Sequence, residues 1–355
     1  MSCEKREKKV MFQCDYTEGC HPQVMERLVA TNLEQSEGYG EDEYCEAARA
    51  SVRLFVERED VDVHFLVGGT QTNATVIAAA LRPHQGVLCA ATGHINVHET
   101  GAIEAAGHKV LVLPSADGKL DAETVRGALA AHAADACREH TVQPGMVYVS
   151  HPTETGALYT LAELRALSAV CRAAGVLLYA DGARLAYALG APGSDVRAAD
   201  LARLCDAFYV GGTKCGALFG EAVVLAAPAL RRDFRYIVKQ HGALLAKGRL
   251  LGVQFDALLR DGLYVALGAR AVRRAVRLRA AFLARGYPLL HDSPTNQLFP
   301  VLPDAHLARL SERYVYDYWS RVDESHSAVR FCTSWATTDA QVDALCNDIA
   351  SLPQV

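Results

Sequence analysis

The sequence predicts an α/β protein built on a mostly parallel sheet covered on both faces. Two observations predict it. Through the first two thirds of the chain, short apolar or β-branched runs alternate with helix-patterned segments, the order of strand–helix–strand units. Several runs, such as Val176-Leu177-Leu178-Tyr179-Ala180, are apolar without alternation, as strands are when neither face meets water. Composition agrees. The 355 residues are 50% hydrophobic and 22% charged, which provides a sizeable core and excludes a mainly disordered or collagen-like chain.

The first 35 residues read as an N-terminal arm carrying Cys14-Asp15-Tyr16-Thr17-Glu18-Gly19 and a short helix from Pro22. Residues 37–42 read as a loop. Strands are expected at 64–68, 87–91, 109–113, 146–150, 176–180, 206–210 and 222–226. The clearest helix spans 160–174, with Leu161, Leu164, Leu167, Val170 and Cys171 on one face and Gly175 as its stop. After about Lys247 the pattern changes. A long basic helical stretch, 267–285, meets a Gly-Tyr-Pro break, then short strands and a last helix at 339–349. A boundary near 250–267 is expected. It divides the chain into an arm (1–35), a large α/β domain (36–255) and a small α+β domain (256–355).

Net charge is −5 at pH 7, which points to neither nucleic acid nor an anionic membrane as partner. The run Glu4-Lys5-Arg6-Glu7-Lys8-Lys9 mixes signs and reads as a solvated terminus. Eleven cysteines occur with no CxxC pair, scattered among apolar patterns. They read as small buried hydrophobes in a reducing compartment, and no disulfide or metal framework is expected. No run approaches the ~18–20 apolar residues of a membrane-spanning helix, so a soluble cytoplasmic protein is expected.

Three motifs follow strands, where open α/β sheets bind ligands. Gly68-Gly69-Thr70-Gln71-Thr72-Asn73 opens the helical run 74–81, and free N–H groups at a helix start suit phosphate. Alone, such a turn is usually structural, and it is not the GxGxxG dinucleotide pattern. Tyr179-Ala180-Asp181-Gly182-Ala183-Arg184 ends a buried strand in a carboxylate. That Asp is either a helix cap or a group that keeps a heterocyclic nitrogen protonated, and Arg184 beside it could fork onto a carboxylate. Tyr209-Val210-Gly211-Gly212-Thr213-Lys214-Cys215-Gly216 sets a lysine among small residues, where desolvation would favour a neutral, nucleophilic amine. Together these are the parts pyridoxal phosphate requires: a Schiff-base lysine, an aspartate for the ring nitrogen and a phosphate turn. A flat side chain should stack on the ring, and His94, after another strand, fits.

The chain also resembles the low-specificity L-threonine aldolases of the β-eliminating lyase superfamily, which are fold-type I pyridoxal-phosphate enzymes, over nearly its whole length. The resemblance is carried by Asp15-Tyr16-Thr17-Glu18-Gly19, Gly38-Tyr39-Gly40-Glu41-Asp42, Gly69-Thr70-Gln71-Thr72-Asn73, His94 with Glu99, Pro152-Thr153-Glu154-Thr155-Gly156, Asp181-Gly182-Ala183-Arg184, Gly212-Thr213-Lys214 and Val329-Arg330. It implies a fold-type I architecture, with a seven-stranded, mostly parallel sheet in the large domain. It implies Lys214, His94 and Asp181 as catalytic residues. Gly69, Thr70, Thr213 and Arg184 would join them in holding the cofactor. Arg184 and Arg330 would grip the substrate carboxylate, with Thr17 as helper. It implies a homotetramer, a dimer of dimers with sites at the subunit interface, which Tyr39, Lys239 and Arg249 could reach from a neighbour. Many members carry a His, two residues after an Asn, in the segment matching 152–156. Here Glu154 occupies that place and His151 lies three residues earlier. The base for the substrate's β-hydroxyl therefore stays open among His94, His98, Glu99, Glu154 and water.

The implied reaction is retro-aldol cleavage of L-threonine or L-allo-threonine to glycine and an aldehyde. β-Elimination or amine transfer would use the same lysine, aspartate and phosphate turn, because fold and cofactor do not decide reaction type. A non-catalytic binding protein of this fold is opposed by the complete Lys214, Asp181, Arg184 and Arg330 set, and a nicotinamide oxidoreductase by the missing GxGxxG.

Overall fold

The computed structural model describes residues 8–353. Cys3 and most of the mixed-sign run lie outside the described residues. Of that run, Lys9 donates from Nζ to the Ser311 carbonyl at 2.6 Å.

Thirteen strands are described: β1 (Val10–Met11), β2 (Asp62–Leu66), β3 (Gln85–Ala90), β4 (Val110–Leu113), β5 (Gln143–Ser150), β6 (Leu177–Asp181), β7 (Ala207–Gly211), β8 (Glu221–Leu225), β9 (Gln297–Leu298), β10 (Val301–Pro303), β11 (Tyr314–Val315), β12 (Asp317–Arg321) and β13 (His326–Cys332). Seven of them form one sheet in the order β2-β8-β7-β6-β5-β3-β4. β8 runs antiparallel to both its neighbours and the remaining pairs are parallel. The fold is the expected α/β class, with a seven-stranded, mostly parallel sheet.

Alternate residues of each strand feed two different cores. Val147, Val149, Leu178, Ala180, Phe208 and Val210 pack on one side of the sheet with the helices Glu43–Phe55 and Leu161–Ala174. Met146, Tyr148, Tyr179, Ala207 and Tyr209 pack on the other with the helices Gly69–Ala80 and Phe234–Gln240. This two-sided burial is why the strand sequences lack alternation. Thr160 and Glu163 close a reciprocal capping box on Leu161–Ala174, and Gly175 ends that helix in the left-handed region at φ 68°.

Two boundaries differ from the sequence expectation. The helix after β2 begins at Gly69, so the Gly-Thr segment is itself a first helical turn rather than a loop before residue 74. The long basic helix begins at Leu263, after Gly262 turns the chain at φ 71°.

A third core joins this helix, Leu263–Ala284, to a small sheet. Ala275, Leu278 and Phe282 meet Leu298, Val329 and Phe331. In that sheet β13 pairs antiparallel with β9, β10 and β12. The N-terminal arm is stitched to the same region: β1 pairs parallel with β11, and Cys332 N–H donates to the Phe12 carbonyl at 2.7 Å.

Candidate active site

A cavity of about 270 Å³ opens at the carboxyl-terminal rim of the parallel strands. The parallel strands β2, β3, β5, β6 and β7 deliver residues there because the chain leaves each of them at that rim. β8 runs the other way, so its first residue, Glu221, arrives at the same place.

The loop after β2 supplies Gly69 and Thr70 to the wall. The helix they open has no side-chain cap, and its first backbone bond is Thr72 N–H to the Gly68 carbonyl at 3.0 Å. The N–H groups of Gly69, Thr70 and Gln71 precede that bond and face outward as donors for an anion. Gln71 anchors the turn by accepting Val67 N–H at 3.3 Å and donating to the His241 carbonyl at 3.0 Å.

Asp181 ends β6 and is 4% exposed. Oδ1 accepts Tyr209 O–H at 2.5 Å and Ala183 N–H at 2.9 Å; Oδ2 accepts Tyr148 O–H at 2.6 Å and Asn73 Nδ2–H at 3.1 Å. Burial alone would raise its pKa. The positive charge of His94, then the two phenols and the Ala183 N–H, outweigh burial and hold it below the ordinary value. Gly182 follows because a Cβ there would overlap the Tyr209 carbonyl.

His94 starts the helix His94–Val97 after β3, and its ring, 29% exposed, reaches the cavity. Nδ1 lies 2.7 Å from Glu99 Oε1, which also accepts Asn73 Nδ2–H at 2.7 Å. Asn73 thus ties the Asp181 and His94 supports together, and Tyr179 O–H donates to its Oδ1 at 2.8 Å.

Lys214 follows β7 beside Thr213, both in the wall. Tyr187 O–H fixes its backbone carbonyl at 2.6 Å, while Nζ has no hydrogen-bond partner among the described residues. Burial and then the charge of Arg184 lower its pKa, against Asp15, Asp181 and Glu221. Glu221 Oε2 accepts Gly212 N–H at 3.1 Å. Burial raises the Glu221 pKa to about 8, more than a hydrogen bond with Thr213 and the charge of Lys214 lower it.

The two arginines are both occupied by chain carboxylates. Arg184 forks onto Asp15 of the arm, Nε to Oδ2 at 2.7 Å and Nη2 to Oδ1 at 3.0 Å. Arg330, on β13, bonds Asp317 at 2.9 Å and the Gln13 carbonyl at 3.2 Å through Nη2. Its Nη1 bonds Gln297 Oε1 at 3.4 Å, and its guanidinium lies 5.8 Å from the Trp319 ring centre.

The structure therefore gathers Lys214, Asp181, His94, Gly69, Thr70, Thr213 and Arg184 around one cavity, while Arg330 lies outside its wall and is joined to it through Gln297. Thr17 turns its hydroxyl to Glu18 at 2.8 Å, and Tyr16 is the arm residue that lines the wall. Tyr39 lies in a separate surface depression under Lys239, whose Nζ is 4.6 Å from its ring centre. Arg249 is committed to the Thr31 and Glu34 carbonyls. Glu221, Tyr148, Tyr209 and Ser150 were not anticipated. A charged residue heading the apolar run 222–226 was the available signal for Glu221, since such burial is costly without a purpose.

These side chains fit pyridoxal phosphate: uncapped N–H donors for its phosphate, a fixed carboxylate for its ring nitrogen, an imidazole for its face and an unpartnered amine for its aldehyde.

A family model described as beta-eliminating lyase matches residues 12–313. A solved threonine aldolase from Leishmania major is 42% identical, with a TM-score of 0.94 over 96% of this chain and 98% of its own. A low specificity L-threonine aldolase from Pseudomonas aeruginosa is 30% identical over 95% of this chain and 96% of its own length. An aspartate aminotransferase from Thermus thermophilus is 16% identical with a TM-score of 0.69, over 96% of this chain and 91% of its own, a likeness of fold alone.

Proposed function

This chain belongs to the beta-eliminating lyase family, and from that premise we propose that it is a pyridoxal-phosphate-dependent threonine aldolase. It cleaves L-threonine and L-allo-threonine, as β-hydroxy-α-amino acids, to glycine and an aldehyde. The observation that carries this is the meeting of the unpartnered Lys214 amine, the buried Asp181 carboxylate and the uncapped helix start in one cavity.

When bound, pyridoxal phosphate supplies an electron sink for the pair left at Cα. The chain's own residues do the rest. The N–H groups of Gly69 and Thr70, with Thr213, hold the phosphate. Asp181, kept ionised by its four donors, holds the ring nitrogen protonated. His94 covers the ring face, fixed in orientation by Glu99. Lys214, with its lowered pKa, gives up its proton more readily than an ordinary lysine. Arg330 and the remaining Nη1 of Arg184 would orient the substrate carboxylate, with Thr17 as a helper from the arm once its hydroxyl leaves Glu18. Carboxylate placement would then decide which bond at Cα is broken.

The division into an arm (1–35), a large domain (36–255) and a small domain (256–355) belongs to the same proposal, with Arg330 contributed from the small domain. So does a cytoplasmic homotetramer, a dimer of dimers in which Tyr39 serves a neighbour's site. Among the described residues no helix is long and apolar enough to cross a membrane, and ten cysteines are free.

The test is aldehyde and glycine release assayed separately from L-threonine, L-allo-threonine and their D-forms, with Lys214→Ala protein as the blank. Release from the L-forms is expected. Ammonia with a keto acid would instead mean elimination, and activity on D-forms alone would overturn the assignment.

A further inference from the structure

Resting on the aldolase assignment, we propose that Glu154 is the general base that takes the substrate's β-hydroxyl proton, through Oε2. In the cleavage the O–H bond breaks and its electron pair becomes the new C=O bond of the leaving aldehyde. The Cα–Cβ pair passes to the bound cofactor, and the proton ends on a carboxylate oxygen.

Geometry separates the side chains that could do this. Glu99 is 4% exposed, with Oε1 taken by Asn73 and His94 and Oε2 sealed from the cavity. It supports the back of His94 and does not meet substrate. The ring of His98 is 5.5 Å from that of His94, but His98 is outside the cavity wall. His94 has Nδ1 tied to Glu99 and offers its face to the cofactor.

Glu154 is in the wall and is held in place. Oε1 accepts Ser150 O–H at 2.6 Å and His94 N–H at 2.9 Å. Oε2 makes no hydrogen bond and is not sealed from the cavity.

Its location within the cavity matters as much. Gln297 donates from Nε2 to the Glu154 carbonyl at 3.4 Å, and its Oε1 accepts from Arg330 at 3.4 Å. One side chain therefore connects the Glu154 backbone to Arg330, the proposed carboxylate grip. The other unassigned acid, Glu221, sits beside Gly212 and Thr213 at the phosphate end.

Burial raises the Glu154 pKa, and so does Asp181, against the Ser150 hydroxyl and the charge of His94. The phenols of Tyr148 and Tyr159 and the thiol of Cys89 also face it. A carboxylate raised in this way accepts a proton more readily near neutral pH. It must be ionised to act, so its contribution is present at high pH and is lost as pH falls through its pKa.

The test is Glu154→Gln holoenzyme, followed in three measurements. These are aldehyde release from L-threonine, exchange of the glycine α-proton with deuterated water, and the cofactor's visible spectrum. Exchange needs Lys214 and the cofactor but no β-hydroxyl base. Release should fall about a hundredfold or more while exchange stays within about threefold and the spectrum is unchanged. Release within about threefold of wild type would overturn the proposal. So would an equal fall in release and exchange, which would make Glu154 a support for His94 only. Should the glutamine variant fail to take up cofactor, Glu154→Asp carries the same comparison, with release reduced more than exchange. If wild-type protein exchanges glycine but releases no aldehyde from any β-hydroxy amino acid, the aldolase assignment itself fails and the base falls with it.

Discussion

Two acids face the same cavity from one sheet, Asp181 at the end of β6 and Glu221 at the start of β8, and they end in opposite states. Both are almost fully buried, at 4% and 3% exposure. Burial pushes both pKa values up, yet Asp181 finishes below its ordinary value and Glu221 rises to about 8. The difference lies first in the charge of His94, which lowers the Asp181 value, and then in what each strand's neighbours offer. β6 lies between β5 and β7, which bring the hydroxyls of Tyr148 and Tyr209, and Asn73 adds an amide from the helix beneath. Around Glu221 the hydrogen bonds of Thr213 and Gly212 and the charge of Lys214 are too few to offset burial. Burial alone does not decide the charge of a cavity acid; the charges and donors built around it do.

A third acid extends the comparison and gives the largest expected effect. Asp15 is fully buried, and the guanidinium of Arg184, the charge of Lys214 and the Asn296 amide together outweigh that burial and lower its pKa. Asp15→Asn strands a buried cation and should cost about 3–5 kcal/mol of unfolding free energy, measured by urea denaturation. The stability Asp15 contributes is present above its ordinary pKa of 3.8 and disappears as pH falls through the lower folded value, so wild type and variant should converge in acid. A constant difference at all pH values would mean the pair is not what the mutation removes.

Asp181→Asn comes next. The shape is kept and the charge lost, so kcat/KM of the holoenzyme should fall about a hundredfold or more. An unaffected rate would break the comparison, since the donors around Asp181 would then serve only packing.

Glu221→Gln should have the smallest effect, with the opposite sign in pH. The folded wild type keeps this proton up to about 8 while the unfolded chain releases it near 4.5. Stability therefore declines as pH rises through that window and levels off above it. Apo-protein carrying the glutamine should lack that decline, by at least the roughly 1.4 kcal/mol that one titration unit represents. Parallel unfolding curves for the two proteins from pH 5 to pH 9 would show that Glu221 is already ionised.

Much of the fold was legible because strand burial leaves a compositional mark. All seven expected strands of the large sheet overlap observed ones. The run 64–68 lies two residues late because Asp62 and Val63 begin β2, while Gly68 belongs to the following helix as its cap. The direction of β8 was not legible. Ala-Val-Val-Leu reads alike parallel or antiparallel, and only pairing with β2 and β7 reverses it. The proposed cofactor residues were legible where a polar side chain interrupts an apolar run, as Asp181 and Lys214 do. Tyr148 and Tyr209 were not, because a strand tyrosine looks like core until its hydroxyl has a destination.

By itself the sequence determined the sheet, its two-sided cover, and the order in which a phosphate turn, an imidazole, a carboxylate and a lysine follow successive strands. Those are local properties, written in apolar runs and in the residues that end them. Tertiary structure alone decided which charges meet. Asp15 and Arg184 are 169 positions apart, and Glu154 connects to Arg330 through Gln297. Such pairings depend on where separate elements come to lie, and on a desolvated cavity that gives each donor its weight.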